Sequence, residues 1–271
     1  MTTHKGFVDG RRAILMLQGS DAKAVLQGVV TNDVERVAPG QAVYAALLTP
    51  QGKYLSDFFL LDGGDGAVLI DAPASQATAL ATRLKMYCLR RDAKIVPREE
   101  MHVGCVWPDA PEGLDDAITC VRDPRHVSLG WRLYCENEGL LASAMGSTVD
   151  RAEYDAVRVR ALVPESGVEL VPEDTYILEA GFEHLNGVDF KKGCYVGQEV
   201  TARMKHKAEL RKRLVEVTVN GEAAPGTAIT ANGKPAGTLF TTSGGRGLAH
   251  LRLDRAGPGM QAGEASVDYT G

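Results

Sequence analysis

The sequence predicts an α+β protein that closes with a small, separate β-barrel. Three observations carry this. Strand-like runs and amphipathic helical segments are mixed along the first 210 residues without the long βαβ alternation of a parallel sheet. Beyond Leu210 the composition shifts to short β runs divided by Gly, Asn and Pro turns. The chain has 271 residues with 44% hydrophobic content, enough for two or three small cores.

Taken in order, Ser20 is positioned to cap a short helix through Ala24, Val25 and Leu26, which Gly28 and the Thr31-Asn32-Asp33 cluster end. VYAALLTP and YLSDFFLLD flank Gln51-Gly52-Lys53 and read as a β-hairpin. The turn DGGDG leads into a third strand, AVLID. After Pro73, Ala77, Leu80, Leu84 and Tyr87 recur at helical spacing. AKIVP, MHVGCVW, DAITCV and WRLYCE then read as short strands. A second helix starts at Asp150, with Tyr154, Val157 and Ala161 on one face, and Pro164 stops it. In the last part, Asn232-Gly233 is a strong hairpin signal between RLVEVTVNG, GTAITANGKPAGTLFTT and RGLAHLRLD.

A net charge of −5 argues against a generic nucleic-acid binder. No apolar stretch approaches the roughly 18 residues of a membrane helix, and the run Ile14 to Leu17 is too short for a signal-peptide core. The expected location is cytoplasmic. The five cysteines, Cys88, Cys105, Cys120, Cys135 and Cys194, are odd in number, widely spaced and free of any CxxC pair. This pattern speaks against a structural zinc or all-cysteine cluster site, and a reducing compartment disfavours disulfides. Four of the five lie in apolar segments and read as buried thiols.

Cys194 differs. It sits in GVDFKKGCYVGQEVTARMKHK, between Gly193 and Gly197, just before a segment suited to start a helix with a Glu199–Arg203 pair at i, i+4. A helix N-terminus and the neighbouring Lys191 and Lys192 favour a thiolate, the reactive form. The alternative is a buried cysteine in a packing turn. From Lys191 to Arg213 eight Lys or Arg residues, Lys207 among them, face only Glu199 and Glu209. This is either a solvated face or an attractor of acidic groups. His184 and His206 have no metal-ligand spacing with Cys194, and no metal site is expected.

The string KGCYVGQE resembles the signature of the YgfZ family in Lys192, Gly193, Cys194, Tyr195, Gly197, Gln198 and Glu199. TNDV (31–34), LTPQGKYLSDFFL (48–60) and VRVRALVP (157–164, with Arg158 in the arginine place) are similar to further family segments, extending the likeness over nearly the whole chain. The resemblance implies an aminomethyltransferase-like fold of three domains around a central channel. The first would be discontinuous (1–45 and 140–210), the middle one would span 46–139, and the barrel 211–271. It also implies a tetrahydrofolate-binding factor for assembly or repair of iron–sulfur proteins, working through Cys194 as nucleophile, redox group or transient ligand. Its partners would be folate and iron–sulfur client or assembly proteins.

Likeness to the aminomethyltransferases puts Glu179, in ILEAGF, at the pterin edge, where a carboxylate takes two parallel hydrogen bonds. Asn32, Asp57 and Arg158 join it as folate-pocket candidates. Asp57 reads equally as an exposed strand residue, and Ser56 stands where those enzymes have a second acid. A true aminomethyltransferase is therefore the runner-up. A folate-dependent N-methyl oxidase would need flavin, and no GxGxxG fingerprint is present.

Overall fold

The computed structural model describes residues 4–206 and 210–271. Lys207 and Glu209 of the basic segment lie outside the described residues. The chain opens with β1 (Lys5–Val8), β2 (Arg12–Gln18) and the short α1 (Ala22–Gln27). The expected cap is corrected. Asp21 holds the cap position without a side-chain bond, because the Ser20 hydroxyl donates instead to Asp92 at 2.7 Å.

β3 (Val43–Leu48) and β4 (Tyr54–Asp62) form the predicted hairpin, and β5 (Val68–Pro73) pairs beside β4. The amphipathic α2 (Ala74–Tyr87) buries Ala77, Leu80 and Leu84. β6 (Lys94–Pro97), β7 (His102–Trp107), β8 (Thr119–Arg122) and β9 (Trp131–Cys135) follow, then α3 (Glu138–Ser143), β10 (Ser147–Thr148) and α4 (Arg151–Arg160). The motif helix is α5 (Gln198–His206). The barrel strands are β11 (Lys212–Asn220), β12 (Thr227–Ala231), β13 (Lys234–Ser243), β14 (Arg246–Arg252), β15 (Met260–Ala262) and β16 (Ala265–Asp268).

The strands build two five-stranded sheets and a closed barrel. One sheet runs β10-β1-β7-β9-β8, the other β3-β4-β5-β2-β6, and the barrel β11-β14-β13-β12-β15-β16. Asn232 and Gly233 both adopt positive φ at the β12–β13 turn, as a tight hairpin requires. The sheets draw on 5–8 with 102–148, and on 12–97. The domain boundary expected between residues 45 and 46 thus falls inside β3, whose pairing with β4 runs without a break across it.

β3 is buried on both faces and separates two apolar clusters. Val43, Ala45 and Leu47 pack with α1 and α2 residues such as Leu26, Leu80 and Leu84. Tyr44, Ala46 and Leu48 face Phe7, Cys105, Trp107 and Tyr134 from the other sheet. The barrel has its own apolar filling, including Ile229, Leu239, Leu251 and Val267. A small cluster of Val159, Leu214 and Leu248 joins it to α4.

Between the sheets lies a buried ionic knot. Asp71 of β5 accepts from Arg12 Nε at 2.6 Å and from Arg132 Nη2 at 2.6 Å and Tyr134 at 2.8 Å, the last two on β9. Burial alone would push the Asp71 carboxyl up, but Arg12 and Arg132 outweigh it and hold it below the usual carboxylate range. Asp123 behaves the same way against Arg125 and Arg132.

Candidate functional site

The motif loop is anchored from four sides. The Thr31 hydroxyl donates to the Gly187 carbonyl at 2.7 Å, and the Asn32 amide donates to the carbonyls of Tyr44 and Asn186, both at 2.7 Å. Asp189 accepts the backbone N–H groups of Lys191 and Lys192 at 2.6 and 3.1 Å. The Lys192 ammonium points inward and donates to the carbonyls of Val30 at 2.6 Å and Asn32 at 2.8 Å. Burial is the main reason its pKa falls to about 8, against the pull of Asp33 and Asp189.

The fourth anchor is a contact between two turns. Gly197 has φ +84°, and a Cβ there would stand 2.6 Å from the Thr49 carbonyl. Gly52 has φ +75°, and its Cβ would meet Val200 at 2.8 Å. Both glycines are required by conformation and by space. Thus the TNDV and Pro-Gln-Gly-Lys segments clamp the KGCYVGQE loop. Tyr195 is buried, its N–H donating to Gln198 at 3.3 Å. Gly193 is not crowded.

On this fixed loop Cys194 is exposed, whereas Cys105 and Cys135 are buried and Cys88 and Cys120 half-buried. Burial pushes the Cys105 thiol up to about 12, and raises Cys88 and Cys120 as well. Lys192, expected beside the thiol as a free cation, is instead consumed by backbone carbonyls. Among the described residues no three His, Cys, Asp or Glu side chains converge to hold a metal.

The folate-pocket candidates do not converge. Asp57 and Arg158 line a cavity of about 130 Å³ between the sheets. Asp57 is buried, not the exposed strand residue that its sequence context equally allowed. It accepts from Tyr44 at 2.9 Å, from Tyr54 at 2.7 Å and from Ser166. A β-bulge at Leu55 puts Tyr54 and Asp57, three apart, on one face. Burial first, then Asp57, keeps both tyrosines protonated as donors. Arg158 is a structural clamp. It donates to Asp155 and to the Val163 carbonyl, and it reaches Thr241 of the barrel at 3.0 Å. Asn32 is spent on the loop anchor.

Glu179 lines a different pocket, of about 360 Å³, beside Leu162, Leu178, Leu214, His184 and Arg213. Its carboxylate has no hydrogen bond or ion pair among the described residues, and burial raises its pKa against Lys212 and Lys53. The two cavities differ in their fit to tetrahydrofolate. The space at Asp57 is smaller than a ligand pocket of roughly 300 Å³ or more, and its carboxylate already has three donors. The pocket at Glu179 has the volume, apolar walls and an unpaired carboxylate.

Sequence reasoning missed the cavity's arginines. Arg12, Arg125 and Arg132 all stand over the Phe59 ring, at 5.6, 4.8 and 4.1 Å. Arg151 joins them, bridging Asp9 and Glu165 at 2.8 and 2.7 Å. The available signal was a surplus of charged residues inside apolar strands, such as Arg132 in WRLYC and Asp71 in VLIDAP.

Residues 11–104 match the GCVT N-terminal domain, and residues 211–270 match the CAF17 C-terminal β-barrel domain. The iron-sulfur cluster assembly factor IBA57, mitochondrial, of Mus musculus is 34% identical over 91% of this chain and 77% of its own length. The factor of the same name from Homo sapiens is 33% identical, over 90% and 76%. The chain belongs to the IBA57 family. The homolog of Phaeosphaeria nodorum, at 32% identity over 90% and 69%, is a further member. The fold is shared with the glycine cleavage system aminomethyltransferase T of Bartonella henselae, with TM-score 0.79, 15% identity, and coverage of 97% of this chain and 84% of that one. The aminomethyltransferase-like fold expected from the sequence is therefore shown. The expected cytoplasmic location is corrected, because these family members are named as mitochondrial factors.

Proposed function

We propose that this chain is a YgfZ-type accessory factor that helps assemble or repair iron–sulfur proteins by presenting Cys194 to them. The observation that carries this is one exposed thiol on a loop held from four sides. Iron–sulfur clusters are commonly held by four protein ligands, mostly thiolates, and this site offers one. The remaining ligands would come from the client or carrier, with the cluster as cargo between the two proteins. Relatives named as iron-sulfur cluster assembly factors support the reading. So does the rigidity of the loop, which fixes the thiol without occupying it.

Tetrahydrofolate is the proposed ligand of the Glu179 pocket, with the carboxylate on the pterin edge and leucines against the ring. The folate would supply one-carbon chemistry when bound, while the residues of this chain bind and orient it. Glu179→Gln should weaken tetrahydrofolate binding about tenfold or more in an equilibrium titration, the loss of a charge-assisted pair. Unchanged affinity would remove Glu179 from the site.

The Cys194 reading is tested by cluster transfer. The protein and an iron–sulfur acceptor, each purified, are mixed with a preformed cluster, and acceptor loading is followed by absorption. Cys194→Ser should abolish the acceleration and leave folate binding intact. Full acceleration by the serine variant would defeat the proposal. The runner-up, an aminomethyltransferase, is disfavoured by the saturated Asp57 and by Ser56, whose buried hydroxyl has no partner among the described residues.

A further inference from the structure

A further opening shares Arg125 with the 130 Å³ cavity. It has a volume of about 500 Å³, within the range of small-ligand sites. Its walls carry Arg36, Arg122, Arg125, His126 and His184. Asp123 is its one lining carboxylate among the described residues, and that charge is already neutralised. Asp123 accepts from Arg125 Nε and Nη2 at 3.0 and 2.7 Å, and Arg132 stands 3.8 Å away. The cations on the wall are therefore in excess.

Their donors are also free. Arg125 is more than nine-tenths buried, yet its Nη1 makes no hydrogen bond among the described residues. The guanidinium groups of Arg36 and Arg122 make none either, although Arg122 lies over the Trp131 ring at 5.6 Å. The backbone N–H of Ser128 donates to His126 Nδ1 at 3.2 Å. A ring nitrogen that accepts leaves the proton of the neutral imidazole on the other, so Nε2–H is available to a ligand. The His126 and His184 rings stand 6.4 Å apart.

We infer that this opening is a binding site for a small oligoanion, a diphosphate or a di- or tricarboxylate, gripped by Arg36, Arg122 and the free edge of Arg125. Guanidinium forks match both phosphate and carboxylate geometry, and the volume is that of a small-molecule site. The opening shares His184 with the Glu179 pocket, but none of its three arginines takes part in the proposed function, so the inference does not rest on that function. A free metabolite-like anion and the glutamate tail of a folate share this chemistry.

The test is titration calorimetry of the full chain with inorganic pyrophosphate and with citrate. Saturable binding of either is expected. Arg36→Ala combined with Arg122→Ala should weaken it at least about tenfold. Removing the same charge elsewhere, at exposed Arg90 and Arg91, should leave it unchanged. Both pairs are exposed, and matching unfolding curves would verify the fold. In the unaltered protein, the ring protons of His126 and His184 should shift on titration. Displacement of pyrophosphate by tetrahydrofolate triglutamate, but not by the monoglutamate, would assign the tail as occupant. No displacement would assign a free anion. Absence of saturable binding, unmoved histidine signals, or equal weakening by the Arg90/Arg91 variant would overturn the inference.

Discussion

The motif loop and the inter-sheet cavity both gather lysine or arginine around a candidate functional group, and they use the charge in opposite ways. In the cavity, each cation meets a carboxylate: Arg12 and Arg132 at Asp71, Arg125 at Asp123, Arg151 at Asp9 and Glu165. Asp57 is held there by hydroxyl groups on three sides. At the loop, Lys192 turns away from its neighbour and satisfies itself on two backbone carbonyls. The cavity is thus a charge-paired network that ties two sheets together, and the loop is a fixed frame that leaves one side chain unsatisfied. Reactivity belongs where the frame is over-determined and the presented group is not.

The largest effect on stability should come from the cavity. Asp71→Asn strips the charge from a hub that Arg12 and Arg132 share. Arg12 would lose its ion-pair partner and Arg132 the nearer of its two carboxylates, and breaking such a buried pair typically costs about 3–5 kcal/mol. Chemical denaturation should show that loss, with Cys194 labelling in the native baseline unchanged. A shift below about 1 kcal/mol would mean that the network contributes little to joining the sheets.

The two regions were also unequally legible. The β3–β4 hairpin, α2 and the barrel were readable because their signals are local: alternation, helical spacing and turn residues. β1 and β2 were not recognised as strands, and α3, with six residues, gave too short a pattern. The Ser20 cap failed because Asp92, 72 residues away in sequence, competes for the hydroxyl. The Cys194 loop was legible for the same reason as the hairpin, since its glycines, cysteine and helix start lie within one short string. The cavity was not, because Arg132 and Asp71 are separated by 61 residues and no spacing announces their pairing. Asn32 was read as a folate-pocket candidate, and its bonds to the Tyr44 and Asn186 carbonyls, which make it a loop anchor, required the fold.

Intermediate effects are expected in the frame of the loop. Gly197→Ala meets both positive φ and the Thr49 carbonyl, and should cost about 1–3 kcal/mol, towards the upper end. It should also blur the selectivity for Cys194 by releasing the loop, measurable as a changed labelling rate. Lys192→Met leaves two carbonyls without their donor and should cost about 1–3 kcal/mol. It carries a pH signature. The folded-state pKa, about 8, lies below the ordinary lysine value of 10.5, so the unfolded chain holds more protons between them. Stability from this group should therefore rise with pH across that window and be lost as pH falls through about 8. A pH series of denaturation curves should show this slope, and Lys192→Met should remove it. An identical slope in both proteins would place the titration elsewhere.

The smallest effect on stability and the largest on function should meet at Cys194. Its side chain is exposed and the anchors around it are made by other residues. Cys194→Ser, nearly isosteric, should therefore move unfolding by no more than about 0.5 kcal/mol, the usual range for surface changes. Limiting alkylation at neutral pH, mapped by peptide mass, should label Cys194 first and Cys105 last. Exposure governs the first, and the second needs a thiolate that burial suppresses up to about pH 12. Labelling of Cys194 should also be insensitive to Asp71→Asn as long as the protein is folded, because the loop is fixed by Thr31, Asn32 and Lys192 and not by the inter-sheet network. Labelling of Cys194 no faster than Cys105 would contradict the exposure on which the proposed cluster transfer depends. A serine variant that is destabilised as strongly as Asp71→Asn would make the thiol part of the frame, and the division of labour between the two regions would fail.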